Sequence, residues 1–170
     1  TYMLASPWTE PGHGWGFGEW SPNYASVEEL GRQVVDSFVD STHGSDVHRD
    51  PKALALMKLT EWPSFKAAFK QVFSDLGAAI GPGRGDASAV QAMDRALQAS
   101  SRYPGWGDGA LGDDFRLSRS VVDMRQLTEH LREQCPNLRT ALQRLEGALG
   151  KLVVHGKGGQ GTLPSSGVGV

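Results

Sequence analysis

A reactive centre built from side chains needs a nucleophile with an activating base, or several ligands converging on a metal. The single cysteine, Cys135, continues the apolar spacing Leu127–Leu131 at the end of an amphipathic run, immediately before Pro136. A thiol on such a stripe reads as a small core hydrophobe. No Gly-x-Ser-x-Gly turn is present to expose a serine, and Ser165 and Ser166 fall in a Gly-rich tail with no base placed near them. His43, Asp46, His48 and Asp50 sit in one polar loop, but His-x4-His in a loop is not a recognised ligand spacing, so the group reads as solvated. Asp108, Asp113 and Asp114 lack the alternating acids and closing Glu of a helix-loop-helix calcium site; calcium is the one possible cofactor they leave open, as a weak contact. The run Gly12-His-Gly-Trp-Gly-Phe-Gly18 lacks the Gly-Lys-Ser/Thr ending of a phosphate loop. Its aromatics suit a rigid loop along a cleft, with His13 at the rim.

The elements that would hold these residues follow from periodicity. Residues 2–6 form a short apolar run that reads as a buried strand, followed by a long Gly- and Pro-punctuated loop over 7–24. That loop carries Trp8, Trp15, Phe17 and Trp20, which must pack against something. Ser26-Val-Glu-Glu29 is a capping box opening a helix to about Ser41, with Val27, Leu30, Val34, Val35, Phe38 and Val39 at helical spacing. Residues 52–59 are apolar nearly throughout and read as a strand covered on both faces. Pro63 opens a helix carrying Phe65, Phe69, Val72, Phe73, Leu76 and Ile80, ended by Gly81-Pro82. Asp86 caps a further helix to about Ser100 with Val90, Met93 and Leu97 inward. Residues 124–134 and a segment from Pro136 supply two more helices, the second with Leu138, Leu142, Leu145 and Leu149 on one face. Residues 151–155 and 166–170 read as final strands. This order predicts an α/β or α+β domain.

Composition sets the outer bounds. The chain has 170 residues, 39% hydrophobic and 21% charged, sufficient for one domain over 1–170 with a real core. Seventeen basic and nineteen acidic residues give a net charge of -2, which argues against a nucleic-acid-binding basic face. No run of about 18 apolar residues exists to span a membrane. One cysteine precludes an internal disulfide and a cysteine-based zinc site. Thr1 is not an initiator methionine, so the expected context is a chain trimmed upstream.

Five segments in order resemble the clostripain-type cysteine peptidases, relatives of caspases and gingipains. Tyr2-Met-Leu-Ala-Ser-Pro-Trp-Thr-Glu-Pro-Gly-His-Gly-Trp15 resembles the strand and loop shortly after that family's catalytic cysteine. Glu28 to Phe38 resembles the helix that follows, with its Asp-Ser-Phe ending. Ala53 to Leu59 and the next helix match a strand-then-helix step, although the Asp usual after that strand is absent. Val122 to Leu127 and Ser166 to Val170 resemble two later elements. The resemblance spans nearly the whole chain, and Glu-Pro-Gly-x-Gly-Trp is its most specific part. It implies a caspase-like three-layer α/β/α sandwich, of which this chain is the C-terminal portion. It also implies peptide-bond hydrolysis by a Cys/His dyad, with Arg or Lys before the cut. The family's catalytic residues lie upstream of the matching region, so no residue here takes either role. The implied partner is an upstream chain bearing the dyad, with a peptide or protein as substrate. By resemblance, Ser6, Thr9 and Glu10 border the specificity pocket and Trp8 and Trp15 form its walls, Glu10 being the only acid in that stretch before Glu19. A secreted or envelope location is the family's usual setting. Two other readings remain open: a caspase-like interaction module without a dyad, and an unrelated α/β domain binding a small ligand.

Overall fold

A computed structural model describes residues 1–6, 20, 23–40, 53–80, 87–100 and 122–158. The order is β1 (Tyr2–Ala5), α1 (Val27–Asp40), β2 (Ala53–Lys58), a 3-10 turn (Leu59–Glu61), α2 (Trp62–Ile80), α3 (Ala87–Ala99), α4 (Met124–Gln134), a second 3-10 turn (Pro136–Leu138), α5 (Arg139–Leu152) and β3 (Val153–Gly158). The fold is mixed α/β, mostly helical, around a three-stranded sheet in the order β1-β2-β3. Both strand pairs are antiparallel. Tyr2 faces Lys58 and Ala5 faces Ala55, while Ala53 faces Gly158 and Leu56 faces His155, with an irregularity between Leu56 and Met57.

The central strand explains the layout. In Ala-Leu-Ala-Leu-Met-Lys the first five residues are buried, which is what near-continuous apolarity requires of a strand covered on both faces. Its side chains alternate. Leu54 and Leu56 join Val34, Val35, Phe38 and Val39 of α1 in one cluster. Ala55 and Met57 join a larger cluster with Phe65, Val72 and Leu76 of α2, Leu127 and Leu131 of α4, and Leu142, Leu145, Leu149 and Leu152 of α5. Cys135 is a buried free thiol in that second cluster.

Helix starts obey local chemistry. The Glu29 amide donates to Ser26 Oγ at 3.1 Å and the Gln126 amide to Asp123 Oδ1 at 3.0 Å, so α1 and α4 carry side-chain caps, whereas α5 starts without one. Several expectations shift. Val27, expected on the inward stripe, is 64% exposed. In α3 the inward residues are Ala89, Ala92 and Ala96, whereas Val90 is 48% exposed and Met93 and Leu97 are half-buried. Met93 and Leu97 still pack against the core, as expected, and Val90 alone departs from the inward stripe. The last turn of α5 runs through Leu152, so β3 starts at Val153 rather than 151 and extends to Gly158.

Candidate functional site

The stretch that carries the peptidase resemblance leaves β1 at Ser6. Thr9, Glu10, Trp8 and Trp15 lie outside the described residues, as do the His43–Asp50 loop, Asp108, Asp113 and Asp114, the Gly12–Gly18 run and the 166–170 segment. Ser6 is therefore the one candidate binding residue that can be placed. It is half-buried and directly follows β1.

What surrounds Ser6 is defined by β1. The strand pairs with β2 along one edge, and the Leu59 amide donates to the Thr1 carbonyl at 3.0 Å to extend that ladder. Among the described residues no strand lies on its other edge. Its apolar residues are only part-covered. Tyr2 and Leu4 lean on the α1 cluster, Ala5 leans on the helical cluster, and Met3 is 42% exposed.

The α1 side is fixed by polar ties. The Tyr2 hydroxyl donates to Glu28 Oε2 at 2.7 Å, and the Arg32 guanidinium meets Glu28 Oε1 at 2.9 Å. The hydrogen bond to Glu28 raises the Tyr2 phenol above its ordinary range. The hydrogen bonds from Tyr2 and Arg32 hold the Glu28 carboxyl below its own. Trp20 Nε1 donates to Ser37 Oγ at 2.8 Å, and the Trp20 ring packs against the α1 cluster. The expectation that the aromatics of this stretch need packing partners thus holds for Trp20.

A second polar group joins α1 to β3. His155 Nε2 lies 2.9 Å from Asp36 Oδ1. Lys157 Nζ lies 2.6 Å from Asp40 Oδ2 and 3.6 Å from Asp36 Oδ1. The hydrogen bond to Asp40 raises the Lys157 ammonium above its ordinary range. Sequence reading did not single out this clasp. Its signal was present: Asp36 and Asp40 are four apart on a helix, and His155 and Lys157 are two apart on a strand, so each pair shares a face. The chemistry is electrostatic tethering of helix to strand.

A shallow depression of about 280 Å³ between α2 and α5 is lined by Ala67, Ala68, Gln71, Ala141 and Arg144, with neither an acid nor a nucleophile. Among the described residues no three His, Cys, Asp or Glu side chains converge as metal ligands, and no helix is long and apolar enough to cross a membrane. Comparison with protein-family models and with curated proteins gave no match to this chain.

Proposed function

We propose that this chain is part of a cysteine endopeptidase, supplying sheet strands and specificity-pocket residues to a Cys/His dyad carried upstream. The observation that supports it is β1: a part-covered apolar strand, hydrogen-bonded on one side only among the described residues, running into Ser6 at the head of the Trp-Thr-Glu-Pro-Gly stretch. An edge strand offers unpaired amides and carbonyls that favour a further strand. In this reading that further strand carries the thiolate, and the stretch after Ser6 borders the substrate cleft. The three-layer part of the proposal rests on β2, whose alternate side chains serve α1 on one face and α2, α4 and α5 on the other. Substrates carry Arg or Lys before the cut, and Glu10 supplies the carboxylate that a buried cationic side chain needs.

The test uses the complete gene product. An arginyl chloromethyl ketone should alkylate one cysteine upstream of Thr1, and Cys135→Ser should label as well as the parent. Label at Cys135, or none in a folded full-length protein, sinks the reading. Glu10→Gln should then raise KM for Arg substrates about tenfold or more, the loss of a charge-assisted contact in a desolvated site.

One observation favours a second reading, an unrelated α/β domain binding a small ligand. All described pairings are antiparallel, whereas sheets with helices on both faces are commonly parallel. The labelling experiment separates the two.

A further inference from the structure

Strand β3 reaches α1 through an irregularity in its ladder. Leu56 pairs with His155 but Met57 pairs with Val153, so Val154 is an extra residue on the β3 side. Val153 belongs to the helical cluster, while Val154 packs against the α1 cluster. Strict alternation would then return His155 and Lys157 to the crowded helical face. The bulge cancels that reversal and turns both toward α1, since an extra residue re-aims the side chains that follow it. There His155 Nε2 meets Asp36 Oδ1 at 2.9 Å, and Lys157 Nζ meets Asp40 Oδ2 at 2.6 Å and Asp36 Oδ1 at 3.6 Å.

The two acids need those cations. Asp40 ends α1, Asp36 lies one turn before it, and the last turn has no basic residue. Carboxylates at a helix C-terminus oppose the helix dipole, and β3 supplies the charge that α1 lacks. The two cations differ in kind. An ammonium stays charged through neutral pH, whereas imidazole is the side chain that changes charge between about pH 5 and 8. The His155 side chain is 26% exposed, so it exchanges its proton with solvent while the helix stays in place. Among the described residues the charged groups that face it are Asp36 and Asp40 on α1 and Lys157 on its own strand. Arg32, one turn before Asp36, is held by Glu28. On this face β2 presents Leu54 and Leu56, and α5 meets β3 from the other face, through Val153.

We propose that the α1–β3 clasp is a pH-sensitive latch: protonated His155 holds the C-terminal end of α1 on β3, and loss of that proton loosens it, leaving both carboxylates to Lys157. The favourable contact is with the charged imidazole, so it is present while the proton is bound and lost as pH rises through the imidazole range. The latch is tightest under mildly acidic conditions, where the imidazole is charged and the carboxylates are still ionised. It needs no part of the proteolytic reading.

Native-state hydrogen exchange of the full chain at about pH 5.5 and about pH 8, on either side of most imidazole titration, reads the latch once intrinsic exchange rates are divided out. Relative to the amides of Val72–Leu76 in α2, those of Ser37–Asp40 should lose about threefold of their protection at the higher pH, within the roughly fivefold that a part-exposed ion pair can supply. His155→Gln, neutral at both values, should show the lower protection throughout. His155→Lys, a fixed cation, should keep the higher protection at both, a gain over the parent that damaged folding cannot mimic. Protection that does not change with pH in the parent, that still changes in His155→Gln, or that falls at the higher pH in His155→Lys overturns the proposal.

Discussion

Glu146 is where the chemistry of a single residue is most exposed to test. Its Oε2 pairs with Arg132, while its Oε1 is buried with no hydrogen-bond partner among the described residues. Burial raises its carboxyl above the usual value near 4.5; the Arg132 charge opposes this and Glu129 adds to it. A carboxyl with a raised folded pKa binds its proton more tightly in the native than in the unfolded chain. Its stabilising contribution is therefore full below the ordinary carboxylate pKa and is lost as pH rises through the folded value. Glu146→Gln removes that loss while conserving shape. Chemical denaturation of parent and variant should show the difference moving in favour of Gln from acidic to neutral pH. A difference that stays flat, or moves the other way, would mean that the Arg132 pair outweighs the burial of Oε1.

At the scale of elements, the approach of α1 to β2 depends on Gly31. A Cβ there would meet Leu56 Cδ1 at 2.6 Å and Cδ2 at 2.8 Å, and Leu56 is itself buried. Replacing a mid-helix Gly by Ala gains about 1 kcal/mol of helix propensity. Overpacking a filled core costs about 1–3 kcal/mol, so Gly31→Ala should destabilise by about 1 kcal/mol net. In a double-mutant cycle, Leu56→Val should recover part of that loss; strict additivity would show that the contact is not the cause. Gly31 also shows what the sequence could and could not reveal. The helix over 27–40 was legible from its capping box and apolar spacing, as was β2 from its uninterrupted apolar run and α5 from its leucines. The need for glycine was not, because it arises from a strand more than twenty residues away. The inward face of α3 was legible only in part: Met93 and Leu97 do pack against the core, but Val90 is exposed and the fully buried positions are Ala89, Ala92 and Ala96, which their low hydrophobicity did not single out. Of the candidate site only Ser6 and the strand before it lie within the described residues, and the strand's part-covered edge could not be deduced from an apolar run that read as fully buried.

For the molecule as a whole, β2 is the element whose opening requires the most to come apart. It is paired on both edges and contributes side chains to both clusters. Amide protons there should exchange only through global unfolding, because no local motion frees a strand bounded on four sides. β1 differs. Its four residues offer ~13 Å of edge at about 3.3 Å per residue, and its side chains are part-exposed. Its amides should exchange through local fraying, at a lower free energy than that measured by denaturant. Native-state hydrogen exchange checks both statements: the slowest amides of Ala53–Lys58 should report the global unfolding free energy, and those of Tyr2–Ala5 a smaller one. The comparison also bears on the proposed partner strand. In a full-length product where such a strand occupies the outer edge of β1, protection of Tyr2–Ala5 should rise toward that of β2, since the docked strand must leave first. If β1 is already as protected as β2 in the isolated chain, its edge is not waiting for a neighbour, and the structural support for an upstream dyad-bearing strand is lost.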